Sequence, residues 1–155
     1  MPAIAVNVPA FAEVETMVNA ALADFHAREQ YLLDNDLNER TISHRLAIHL
    51  QYRFHEWDVD CEYNRHLDAT KILDLPRDGI SWDDTQGKTV FPDIIVHKRG
   101  LGPNLLVIEM KKSGPSANFD YQKLTAYKSQ IGYTYACFLR VRIGPGGRVE
   151  APEWH

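Results

Sequence analysis

The stretch Val90–Lys111, VFPDIIVHKRGLGPNLLVIEMK, decides the fold. Two apolar runs of strand length, Val90–His97 and Leu105–Lys111, flank Lys98–Asn104, which is rich in the Gly, Pro and Asn that turns use. The pairing predicts a β-hairpin. Leu105–Ile108 is apolar on both faces, which predicts a central strand. Side chains alternate along a strand, so Glu109 and Lys111 share the face of Leu105 and Val107. That face begins apolar and ends in a carboxylate and an ammonium.

Working outward, Val59, Cys61 and Tyr63 alternate with Asp58, Asp60, Glu62 and Asn64, the pattern of a half-exposed strand starting at Trp57. Downstream, Ser116–Ile131 reads as a helix stopped by Gly132. Tyr135–Arg142 reads as a fourth strand, returning parallel to the third by a right-handed crossover. Gly144-Pro145-Gly146-Gly147 is a turn that can lead into a short final strand. Upstream, Phe11, Val14, Val18, Ala21, Leu22 and Phe25 have helical spacing over residues 10–31. Ile42, Leu46, Leu50 and Phe54 mark a second helix at about 37–55, with Asp36 and Glu39 spaced as a capping box. Residues 65–88 form a long connection, of the kind that is functional or hides a short element. The expected architecture is α/β: a mixed central sheet of about four to five strands flanked by helices. Residues 1–155 are expected to form one domain, with its core at about 37–142 and a turn and tail at 143–155.

Composition narrows the class. The 155 residues are 45% hydrophobic and 25% charged, close to the globular average. No apolar run approaches the roughly 18 residues of a membrane span. The N-terminus lacks the basic segment of a signal peptide. Cys61 and Cys137 form no CxxC pair and read as reduced core thiols, with a disulfide left open; a cytoplasmic location is expected. The net charge of -4 excludes a polycation, yet the charge is uneven. Residues 1–96 carry 8 basic and 17 acidic side chains, whereas residues 97–148 carry 9 basic and 2 acidic. Such asymmetry suits an anionic partner as well as a merely solvated surface.

The chemistry gathers at the hairpin. A hairpin brings Asp93 beside Glu109 and Lys111. Glu39 lies within about 60° of the apolar ridge of its helix, and a carboxylate facing a core needs a partner or a metal. Mg²⁺ prefers oxygen ligands and keeps several waters. Two carboxylates and a backbone carbonyl can hold it against a phosphodiester, while a lysine orients water or neutralises charge. Singly, Asp93 also suits a strand-end turn, Glu109 with Lys111 a surface salt bridge, and Glu39 a cap. His44, His49 and His55 do not share a helical face, no HExxH or GxSxG occurs, and neither cysteine neighbours a histidine.

Pro92-Asp93, fifteen residues and then Glu109-Met110-Lys111 resemble the signature of the PD-(D/E)xK nuclease superfamily. The element order around it, over about residues 37–142, is similar to that superfamily's restriction-endonuclease-like αβββαβ core. The resemblance implies a Mg²⁺- or Mn²⁺-dependent nuclease, an endonuclease or exonuclease, with DNA favoured over RNA. Matched position by position, Asp93 and Glu109 bind metal, Met110 lends its carbonyl, Lys111 acts on the attacking water and Glu39 is the helix acid. Gln122 to Tyr127 is one residue longer than the Gln-x-x-x-Tyr spacing of the RecB-like branch. Lys112, Lys123 and Lys128 are the expected phosphate contacts. Asn64 and Arg65 can meet a phosphate, Arg65 equally an acid, and Tyr127 can stack on a base. A homodimer or a partner protein would fit cutting of both strands. The rival readings are a nuclease-like module that binds nucleic acid or a protein without cutting, and a small interaction protein.

Overall fold

The computed structural model describes residues 6–63, 92–100, 102–112 and 116–155, and the backbone of 65–66, 69–70, 72–73 and 88–89. Helices α1 (Phe11–Asp34) and α2 (Glu39–Arg53) come first. Strand β1 (Asp58–Cys61) follows, then four two-residue strands: β2 (Arg65–His66), β3 (Ala69–Thr70), β4 (Ile72–Leu73) and β5 (Lys88–Thr89). Next come β6 (Ile94–His97), β7 (Asn104–Lys112), α3 (Asn118–Ala126) with a π-helical turn at Tyr127–Ile131, and β8 (Tyr135–Arg142). Two short strands close the chain, β9 (Arg148–Val149) and β10 (Glu153–Trp154).

The fold is α/β, and its main sheet is mixed. Its order is β1-β6-β7-β8-β10, with β9 also on β8. The β6–β7 and β1–β6 pairs are antiparallel, and β7–β8 is parallel across α3. The small pairs β2–β3 and β4–β5 lie in the long connection. At six strands the sheet exceeds the expectation, because the Gly144–Gly147 turn leads into β9 and the tail adds β10.

Alternation along β7 divides the core. Leu106, Ile108 and Met110 pack with Phe25, Leu46 and Leu50 of α1 and α2, whereas Val107 packs with Phe138, Leu124 and Tyr127 on the α3 side. Strand β7 is therefore buried on both faces from Asn104 to Met110. Both cysteines are free thiols. Among the described residues, no helix is long and apolar enough to cross a membrane.

Four boundaries differ from expectation. Strand β1 stops at Cys61, where Glu62 enters the left-handed region at φ 50°. Pro92-Asp93 precedes β6 instead of lying inside it: Pro92 has no N–H for a ladder, and the Asp93 side chain does the bonding described below. The third helix ends at Ala126 and continues as the π-helical turn, stopped by Gly132 at φ 84°. The Asp36–Glu39 capping box does not form. Asn38 is the cap of α2, its Oδ1 accepting the Thr41 N–H at 2.8 Å, and Asp36 instead pairs with Lys112 at 2.7 Å.

Helices α1 and α2 are tied by a buried acid. The Glu29 carboxylate accepts from Arg45 at 2.7 and 2.9 Å and lies 3.3 Å from His49 Nε2. The Arg45 hydrogen bond outweighs burial and holds Glu29 below its ordinary value of 4.5. A depressed acid stabilises above its unfolded value, and that stability is lost as pH falls through the folded value. Urea unfolding of the wild type should therefore weaken below about pH 4.5, and Glu29→Gln should show less of that loss. Asn38→Ala should cost about 1 kcal/mol in the same assay, and Asp36→Ala clearly less.

Candidate functional site

The site lies where the sheet runs out. Strands β7 and β8 are parallel, so their C-terminal ends share one edge with the start of β6. Pairing with β6 stops at Ile94↔Ile108. Beyond it, Asp93 Oδ2 accepts the Met110 N–H at 2.7 Å, extending the ladder by one side-chain bond. Glu109, on the α3 face, is 1% exposed. Helix α3 directs two charges at it. Lys123 Nζ lies 3.2 Å from Glu109 Oε2 and 3.5 Å from Asp120 Oδ1. Asp120 Oδ2 in turn holds Lys111 Nζ at 3.2 Å, and Lys111 also donates to the Ser116 carbonyl at 3.1 Å. The result is a chain of alternating charge: Glu109, Lys123, Asp120, Lys111.

Glu39 opens α2 on the other side. With Asp93, Ser43, His44, Cys61 and others it lines a cleft of about 440 Å³. Burial, then the negative charges of Asp93 and Asp120, push its carboxyl up, against Lys112 and Lys111. Burial pushes Asp93 up too, opposed by the Met110 N–H. Glu109 is raised furthest, by burial and by the Asp93 charge, against the pull of Lys123. Burial alone would lower Lys123, but Glu109 and Asp120 outweigh it and hold the ammonium above its ordinary value. These mutual effects place Glu39, Asp93, Glu109 and Asp120 within one electrostatic neighbourhood.

Several expected roles change. Lys123, read as a phosphate contact, is the lysine on Glu109, while Lys111 reaches the cluster through Asp120. Lys112 lies on the opposite face, paired with Asp36, and does not join the cluster. Lys128 donates to the terminal His155 carbonyl at 2.8 Å. Tyr127 is 0% exposed, edge-on to Tyr133, so no base can stack on it. The Met110 side chain is buried on the α1–α2 side, where its sulfur accepts from Ser43 Oγ at 3.6 Å. Asn64 and the Arg65 side chain lie outside the described residues. Asp120, which joins both lysines, is a functional candidate that the sequence does not single out. Its i,i+3 spacing to Lys123 was the available signal.

Two buried oxygens at this spot have no hydrogen-bond partner among the described residues, Glu109 Oε1 and the Tyr127 hydroxyl. A buried carboxylate oxygen without a donor is rare and suits a cation or an ordered water. Among the described residues, no three His, Cys, Asp or Glu side chains converge tightly enough to hold a metal by themselves. Mg²⁺ needs only one or two carboxylates because it keeps its waters. Asp93 and Glu109 could serve as those carboxylates, with Glu39 and the Met110 carbonyl as further hard oxygen donors. No family model, curated protein or solved structure gives a significant match to the chain.

Tyr127→Phe removes a buried hydroxyl that makes no well-formed hydrogen bond among the described residues and has Glu109 as a polar neighbour. Thermal unfolding of this variant should be unchanged or up to about 1 kcal/mol more stable, in contrast to the loss usual for a core tyrosine.

Proposed function

We propose that the chain is a nuclease that uses Mg²⁺ or Mn²⁺ to hydrolyse phosphodiester bonds of nucleic acid, DNA in preference to RNA, on a restriction-endonuclease-like core. The observation that carries this reading is Glu109: a carboxylate buried at a sheet end, one oxygen without a donor among the described residues, with Asp93 and Lys123 beside it and Lys111 linked through Asp120. Asp93 and Glu109 would hold the ion, with Glu39 and the Met110 carbonyl in support. A bound ion would polarise the phosphoryl oxygen and lower the pKa of a coordinated water. Lys111 would orient the attacking water as it adds to phosphorus and the bond to the leaving oxygen breaks. Lys123 would keep Glu109 in place and offset charge developing on the phosphoryl oxygens. Cutting both strands of a duplex would call for a second copy or a partner protein.

The rival is a nuclease-like module that binds without cutting. The observation favouring it is that Asp120 engages both lysines, which leaves neither ammonium without an acid. Cleavage separates the two readings. Single-stranded, double-stranded and branched DNA and RNA are incubated with Mg²⁺, Mn²⁺ or EDTA. Metal-dependent cutting is expected, and Lys111→Ala should slow it about 100-fold or more without changing the circular dichroism. Wild-type rates in Lys111→Ala would remove Lys111 from the mechanism, and no cutting in any lane would favour the rival. Asp93→Asn keeps an acceptor for the Met110 N–H, so it should fold yet bind Mn²⁺ more weakly by calorimetry.

A further inference from the structure

Basic side chains of the C-terminal half are mostly neutralised by acids in three dimensions. Lys111, Lys112, Lys123, Arg99 and Arg140 all hold carboxylates. Arg142 and Arg148 do not: both are exposed, and neither guanidinium has a hydrogen-bond or ion-pair partner among the described residues. They are also direct cross-strand partners in the β8–β9 pair. Like charges directly opposite each other destabilise a strand pair.

The hairpin is held in spite of that repulsion. Gly144 N–H donates to the Leu33 carbonyl at 2.9 Å, and Gly146 N–H to Asp34 Oδ1 at 3.1 Å. Gln30 Nε2 donates to the Gly147 carbonyl at 2.6 Å, and Val149 N–H to His26 Nε2 at 3.0 Å. Four bonds from α1 thus fix the β8–β9 turn and the arginine pair it carries. Both arginines border a recess of about 390 Å³ with His26, Gln30 and Asp34. Asp34, the one acid there, already accepts from Gly146 and Gln30. With two arginines against one carboxylate, the recess keeps a positive balance.

Position adds the second argument. Lys111 pairs with Arg140 in the parallel β7–β8 register, and Arg142 lies two residues further on the same face. Strand spacing puts Arg148 about 12 Å from Lys111, a span of only a few phosphates along one nucleic-acid strand.

We infer that Arg142 and Arg148 form a backbone-phosphate clamp for nucleic acid, holding the strand a few nucleotides from the Glu109 cluster. The inference rests on the nucleic-acid reading above. An anion placed between the two guanidiniums relieves their repulsion, and the pre-set hairpin lets it bind without ordering a loop.

The test is fluorescence anisotropy with a short labelled DNA duplex in EDTA, over a series of NaCl concentrations. The proteins are the full chain, Arg142→Ala/Arg148→Ala and Arg28→Ala. Arg28 is an exposed arginine two residues past His26, on the far side of α1. The double variant should bind roughly tenfold more weakly at low salt, with a log–log salt slope smaller by about 1.8, or 0.9 for each lost phosphate contact. Arg28→Ala should match the wild type, and Arg142→Lys/Arg148→Lys should keep most of the slope. Equal affinity and slope in the wild type and the folded double variant would overturn the clamp and leave the nuclease reading standing. Absence of any DNA binding by the wild type would overturn both. Stabilisation by inorganic phosphate that the double variant loses while its DNA affinity stays intact would also overturn the clamp, in favour of a free anion.

Discussion

The burial of Glu109 constrains everything at this end of the molecule. Its strand is apolar on both faces and lies between β6 and β8, so the carboxylate enters the core with the chain. An unpaired ionised carboxylate there would cost several kcal/mol. Two features offset the cost: Lys123 neutralises one oxygen, and Asp120 and Lys111 continue the alternation out to the surface. Each depends on α3 crossing this face, which the parallel β7–β8 connection requires. Sheet topology and site electrostatics thus follow from the same short connection.

Other buried charges in the chain behave differently. Asp60 receives His97 Nε2 at 2.7 Å and the Arg99 guanidinium at 2.6 and 2.9 Å, and despite burial these bonds hold its carboxyl below the ordinary range. Glu29 is held by Arg45 and His49 in the same manner. In both clusters the carboxylate is low in pKa and well supplied with donors, as an ion pair that joins two elements should be. At the sheet end the pattern is opposite on each count: Asp93 and Glu109 are raised, and one Glu109 carboxylate oxygen has no donor among the described residues. Structural pairing satisfies its members, so the contrast itself marks the Glu109 cluster as a candidate for chemistry.

How much of this was legible depends on the range of the interaction. The central place of Leu105–Ile108 follows from its lack of polar residues, and the convergence of Asp93 with Glu109 follows from hairpin geometry. Both are local. The cap of α2 is local as well, yet two acceptors two residues apart competed for the same donors, and Asn38 prevailed while Asp36 turned to Lys112. That Lys123 rather than Lys111 would pair with Glu109 was not legible. Strand alternation gives Lys111 the face of Glu109 but does not say where α3 will set Asp120, and Asp120 is what draws Lys111 aside. Tyr127 failed for a similar reason: composition does not distinguish a surface tyrosine from one that the helix presses against Tyr133.

The same limit governs charge. Counted along the chain, residues 97–148 are strongly basic, which invites a picture of one positive face. Folding cancels part of that excess against acids from the N-terminal half, where Asp36 takes Lys112 and Asp58 and Asp60 take Arg99, while Arg140 pairs with Glu153 of the tail. What governs attraction of a polyanion is the field left after such pairing, not the net charge of -4. A metal site made of carboxylates repels phosphate until cations compensate it. Positive charge without a partner is therefore most useful beside such a site rather than within it. On the proposed metal-site reading of the Glu109 cluster, the β8–β9 hairpin presents two arginines in that position, on a turn bonded to α1 at four points.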